Sequence, residues 1–367
     1  MEPKRDALMA FGFFFAVFYF GHAQPVRGAD ASPLARIIEG AKKEGTVTVQ
    51  ISPSSHTAQS MKRLAKEIEK RYKVALDIQF SPTERMAVEL SKALMEHKVG
   101  SAPTYDLMSL SVPNIVRGIE AGIYEKVEWQ PLLDKETPPE VILGKPGTPY
   151  HGHGLVSYTA HRGLMYNPKR IPPESVPKTL AELADPRWKG KVGIHNYPRV
   201  WAEVAFVSGK EKVLSALGAI MRNKAIQGAY ADLQKRYLLE EIWLAHSGSQ
   251  YFQEARMKGV PAEWESLELS DIAHYVVSVR TRARHPNAAK LVAIYLASPQ
   301  GTKIHVEEAG AGNVNYSGNY ENGIAVHDRK QGLPQFAWDH PGRMEFVISK
   351  KAEQWEKEIE RIFKGGY

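Results

Sequence analysis

The chain has 367 residues, with 48 Lys and Arg against 41 Asp and Glu, a formal net charge of +7. Apolar residues make up 43% and charged residues 24%, which excludes global disorder, a state that needs low hydrophobicity with high net charge. There is no cysteine, which excludes disulfides, Cys-ligated zinc, iron–sulfur clusters, a thiol nucleophile and a lipid-modified N-terminal Cys.

Lys4 and Arg5 precede an apolar run from Ala7 to Phe20. That run is shorter than the ~20 residues a membrane-spanning helix needs. A basic start, a short apolar core and the small residues Gly21 and Ala23 predict a signal peptide over residues 1–23. Ala29 and Ala31 offer a second cleavage site, as late as residue 31. The mature protein is therefore expected to be exported, soluble and periplasmic. Its basic residues are interleaved with acids, as in KEIEKR and EKEIER, so no nucleic-acid-binding stripe is expected.

A helix is predicted from Pro33 to Glu44, then a β-branched strand over Thr46–Ile51. A polar turn over Ser52–His56 leads into a helix ending at Tyr72, with Met61, Leu64, Ala65 and Ile68 on one face. In VALDIQF, Val74, Leu76, Ile78 and Phe80 alternate as in a strand. The crossover is long enough to make the two strands parallel. A helix to Lys98, a strand over Tyr105–Leu110 and a helix over Val112–Ala121 continue the α/β order. Ligands of such sheets bind beyond the carboxyl ends of the strands, here at Ser52–His56 and Ser109–Asn114.

Five prolines between Trp129 and Pro149 prevent a long helix, and the stretch reads as a connection between two bodies. Leu155–Ala160 and Gly163–Asn167 read as two strands. A second α/β body follows, with a strand near Lys191–His195, helices near Trp201–Val207, Lys210–Asn223 and Asp232–Glu240, a strand in IWLAHS and a helix over Gln250–Lys258. His274–Val279 reads as a strand, and Pro286 opens a further helix. The tail ends in an amphipathic helix.

Four segments in order resemble the periplasmic substrate-binding proteins of ABC importers. Within that group they resemble the subfamily of ferric-iron, thiamine, phosphonate and sugar-phosphate binders. They are Ala41–Gln50, MYNPKRIP with Val176–Ile194, Ala255–Trp264 and Arg284–Ile304. The resemblance implies a type II fold: two lobes, each an open α/β sheet with helices on both faces, and a ligand cleft between them. Lobe 1 is expected over 32–150 and 272–330, lobe 2 over 151–271, with 331–367 a C-terminal segment. It also implies ligand capture by hinge closure and delivery to an ABC permease of the inner membrane, with no enzymatic activity and no cofactor. A monomer is expected.

Candidate ligand contacts are Ser54, Ser55 and His56 before a helix, Ser111 after the third strand, Arg199 as a charged clamp, and Ser249, Gln250 and Tyr251. Capping of the helix by a Ser hydroxyl, and pairing of Arg199 with Glu203 one turn on, are the alternative roles. In the family's iron binders the His56 position supplies a ligand, beside an acid after the third strand and two adjacent tyrosines. Here that loop reads LSVPN, and Ser249 and Gln250 stand at the tyrosine positions. A small anionic organic ligand is therefore expected. Ferric iron or another metal, a ligand-sensing role before a membrane receptor, and a hydrolase remain as alternatives. His151 and His153, two apart, would share one face of a strand. With no acid or third His nearby, they read as loop histidines.

Overall fold

The computed structural model describes residues 32–52, 55–83 and 85–366, together with Met1. The expected signal peptide lies outside the described residues. Among these, no helix is long and apolar enough to cross a membrane.

The strands are β1 (Thr46–Ile51), β2 (Asp77–Pro82), β3 (Leu107–Ser111), β4 (Leu155–Tyr166), β5 (Val192–His195), β6 (Ile226–Gly228), β7 (Leu244–Gly248), β8 (Glu263–Glu265), β9 (Ser270–Val279) and β10 (Gln335–Phe336). They hydrogen-bond in the order β2-β1-β3-β9-β4-β7-β5-β6, with β8 on β4 and β10 on β9. The β2-β1-β3 and β7-β5-β6 runs are parallel, as their helical crossovers require. Between them lies the antiparallel pair β4 and β9, with an irregularity at Val156/Tyr158. These two long strands belong to both halves of the molecule. Leu155, Val277 and Val279 join the core packed around Val47, Leu64 and Leu291. Leu164 and Tyr166 join a different core, around Ile194, Trp201 and Leu217. The amphipathic helix Lys350–Phe363 adds Ala352, Ile359 and Ile362 to that second core.

Several elements differ from their sequence reading; β9, for one, starts at Ser270 rather than His274. β4 is one strand of twelve residues, not two. The polar pair His161–Arg162 looked like an interruption, but both side chains are buried and partnered within the strand. β2 starts at Asp77 rather than Val74 and forms an edge of the sheet, so its side chains are only partly buried. Val74 and Leu76 are buried in the turn before it.

Asp106 ties the first half together. Its carboxylate accepts hydrogen bonds from the Thr48 N–H and hydroxyl, each at 2.9 Å, and from the backbone N–H groups of Arg284 at 2.7 Å and His285 at 3.1 Å. It thus joins β1 to the chain entering helix Pro286–Ala297. Burial alone would raise its pKa; the donors from Thr48 and His285 outweigh that and hold the carboxyl below its usual range. Asp106→Ala removes the acceptor of all these partly buried donors. Urea denaturation should report a loss of about 3 kcal/mol; a loss within ~0.5 kcal/mol, typical of an ordinary surface change, would contradict this role.

Candidate functional site

A cavity of about 430 Å³ lies where the strand ends of both halves meet the crossing strands. Ser52 and Ser111–Asn114 reach it from beyond β1 and β3. Arg162 and Ile272–Tyr275 form its floor from β4 and β9. His195, Tyr197, Arg199, Glu203, Tyr230, Gln250 and Tyr251 come from the second half, and Trp338, Arg343 and Met344 from the tail.

Five helices of nine or more residues begin at this cavity, Met86–Lys98, Val112–Glu120, Pro198–Ser208, Tyr230–Leu238 and Ser249–Met257, beside the short helix Arg343–Val347. Residues of the first turn or N-cap of each line it. None of the five has a side-chain cap, their N-cap positions being Arg85, Ser111, Tyr197, Ala229 and Gly248. Four helices that start elsewhere are capped by Thr57, Ser298, Asn319 and Ser349, while two more, with Gly209 and His285 at the N-cap, also lack a side-chain cap. An uncapped helix start leaves N–H groups free and carries partial positive charge. At three of the five, the N-cap position holds Tyr197, Ala229 or Gly248, none of which brings a short side-chain oxygen to accept from the first turn.

The floor is ionic. One Arg162 Nη2 donates to Glu203 Oε2 at 2.9 Å and to Asp271 Oδ1 at 2.7 Å. Arg343 donates to the same Glu203 oxygen. All four side chains are buried. Burial raises the Glu203 pKa, but the two guanidiniums win and hold it at about 2. Arg199 pairs with Glu356 of the tail helix, Nε to Oε1 at 2.8 Å. The pairing of Arg199 with Glu203 inferred from helical spacing does not form, because Glu203 faces Arg162 and Arg343. The lining guanidiniums are thus matched with acids, except that of Arg85, which among the described residues has no ion pair and is exposed.

The walls are aromatic. His195 stacks on Tyr230 at 3.7 Å between centroids, and Tyr275 on Tyr158 at 4.2 Å. Burial pushes the Tyr230, Tyr275 and Tyr197 hydroxyls up, and holds His195 and His274 at about 4, so these groups are neutral at pH 7.

Of the residues singled out in the sequence, Ser111, Arg199, Gln250 and Tyr251 line the cavity. Ser54 lies outside the described residues. Ser55, His56 and Ser249 are fully buried and do not line it. The Ser55 hydroxyl donates to the Ser52 carbonyl at 3.0 Å, the His56 Nε2 meets His305 Nε2 at 2.8 Å, and Ser249 bonds Glu321. Those interior partners take the polar atoms that a ligand would need. His151 and His153 sit in a turn, and among the described residues no group of three or more His, Asp or Glu is placed to hold a metal. Arg162, Glu203, Asp271 and Arg343 escaped the sequence reading. The available signal was a charged pair inside the apolar strand LVSYTAHRGLMY; nothing local marks Arg343.

Residues 102–233 match the family of bacterial extracellular solute-binding proteins. The architecture is that of the type II periplasmic binding proteins: iron-bound HitA from Pseudomonas aeruginosa superposes with a TM-score of 0.62 at 17% identity, covering 86% of this chain and 99% of that one. The chain thus has the fold of the periplasmic binding proteins and, over residues 102–233, the sequence pattern of the solute-binding family. The GacH receptor of Streptomyces glaucescens GLA.O, described in complex with acarbose, superposes with a TM-score of 0.67 at 14% identity, covering 88% and 94%. A curated relative, Iron uptake protein A1 of Synechocystis sp. (strain ATCC 27184 / PCC 6803 / Kazusa), is 24% identical over 263 residues. That match takes in 70% of this chain and spans 65% of the relative's length.

Proposed function

We propose that this solute-binding protein captures a small organic anion in the cavity and delivers it to an ABC permease outside the cytoplasm. The observation that carries this reading is the convergence of five uncapped helix N-termini on one cavity. Their dipoles and free N–H groups favour an anion and disfavour a cation. The aromatic walls favour an organic body over a bare ion. In this reading residues 32–150 with 272–330 and residues 151–271 act as the two lobes, hinged at β4 and β9, and the protein works as a monomer.

Ferric iron is the second reading, supported by the iron uptake relative and by the likeness to iron-bound HitA. It needs anionic oxygen donors. What weighs against it is that Glu203 and Asp271 are held by arginines and that burial opposes ionisation of the cavity tyrosines.

A thermal-shift screen of the mature protein separates the two. The panel is sugar phosphates, phosphonates, aromatic and aliphatic carboxylates, thiamine, and ferric ion with and without citrate. A ligand at about a hundred times its Kd stabilises the native state by about 2.7 kcal/mol. A shift with a carboxylate or phosphate is the expected result. A shift with ferric ion alone would replace it by the iron reading.

A further inference from the structure

Arg343 lies in the C-terminal segment, beyond the 102–233 stretch that matches the family. With Trp338 and Met344 it builds the wall that the tail contributes to the cavity. Its guanidinium lies over the Phe336 ring, 4.0 Å from the centroid, and Nη1 donates to the Phe336 carbonyl at 3.0 Å. Its Nη2 goes to Glu203. Arg162 reaches the same carboxylate from the floor, also through Nη2.

Both Nη atoms of Arg343 and the Nη2 of Arg162 are thus taken, and the Nε–H groups are not. The Nε of Arg162 and that of Arg343 are buried without a hydrogen-bond partner among the described residues, and so is the Tyr230 hydroxyl. Arg162 is 9% exposed and Arg343 3%. A buried, charge-bearing donor left unpaired is costly, and an anionic oxygen is its strongest partner. Both arginines and Tyr230 line the one cavity. Arg199, the other buried arginine there, already holds Glu356.

We propose that Arg162 and Arg343 are the specificity-determining pair of the site. The carboxylate or phosphate of the ligand seats on their Nε–H donors and the Tyr230 hydroxyl, with its apolar body toward Tyr251, Tyr275 and Trp338. This rests on the organic-anion reading and places the anionic end against the wall that the tail contributes to the cavity. The tail is then part of the ligand site, not only a support for the second core.

The test compares wild type with Arg343→Lys and Arg343→Met by calorimetry. Probes are the carboxylates and phosphate monoesters that stabilise the wild type, with benzoate and phenyl phosphate included, each beside its uncharged amide or alcohol. Arg343→Lys keeps a cation for Glu203 but lacks the planar Nε edge. Acids should bind about tenfold more weakly or worse to both variants, while the uncharged counterparts change little. Separate carboxylate and phosphate arms show which headgroup the seat takes. Tyr230→Phe, which removes one hydroxyl from the same seat, should weaken acids about threefold and keeps the test standing if an Arg343 variant does not fold. Equal losses for acid and uncharged partner, or unchanged acid binding, would overturn the assignment alone. Absence of any carboxylate or phosphate that stabilises the wild type would overturn the organic-anion reading beneath it.

Discussion

Replacing Glu203 by Ala is expected to cost about 3–5 kcal/mol of folding stability, the range for breaking a buried ion pair from one side. Glu203 is 3% exposed, and its Oε2 receives both Arg162 and Arg343. Without it, two buried guanidiniums share Asp271, whose Oδ1 is 2.7 Å from Arg162 but 3.8 Å from Arg343. One buried positive charge is then uncompensated. The double variant Glu203→Ala/Arg343→Met removes a matched pair and should lose less than the sum of the two single changes. Urea midpoints for the four proteins give the coupling. A single-variant loss under about 1 kcal/mol, the scale of an exposed pair, would mean that the cluster is solvated.

Stability should also fall steeply as pH drops below about 6.5. His195 and His274 are held at about 4 and His305 at about 3, and His56 and His246 lie well below the ordinary value of 6.5. Burial is the leading cause in each; for His56 the neighbouring His305 adds to it, and for His246 His195 does. The sign follows from proton counts. Between pH 6.5 and 4 the unfolded chain binds protons that the native imidazoles refuse, so acid favours unfolding. Each such histidine contributes up to about 1.4 kcal/mol per pH unit across that window. Glu203 adds a second window. Its folded pKa of about 2 is depressed, so its contribution is present above the unfolded value of 4.5 and is lost as pH falls toward 2. Melting temperatures at pH 7 and pH 5 should differ by on the order of ten degrees. A flat profile would show that these histidines protonate in the native protein.

Both predictions come from buried polar groups, which local sequence patterns describe least well. Local composition located the helices Pro33–Glu44 and Lys210–Arg222 and the strand β1 almost to the residue, since β-branched residues mark the strand and Gly45 closes the helix before it. It divided β4 at His161–Arg162, because a buried ion pair and a surface turn look alike until the partners are known. Those partners, Glu203, Asp271 and Glu321, are 41, 109 and 160 residues away.

The same limit applied to the site. Ser111, Gln250 and Tyr251 were legible because they sit where a strand passes into a helix, a local feature. His56 and Ser249 occupy equally suggestive positions, yet their polar atoms turn inward to His305 and Glu321.

By itself, then, the sequence determined the α/β class, the order of the main elements and the resemblance to periplasmic binding proteins, since these depend on spacing along the chain. Only the tertiary structure decided which helix starts meet at one cavity, which arginines are already matched with acids, and that a tail residue, Arg343, reaches the floor. A charge acts through distance in space, and β4 and β9 bring together groups that the chain keeps far apart.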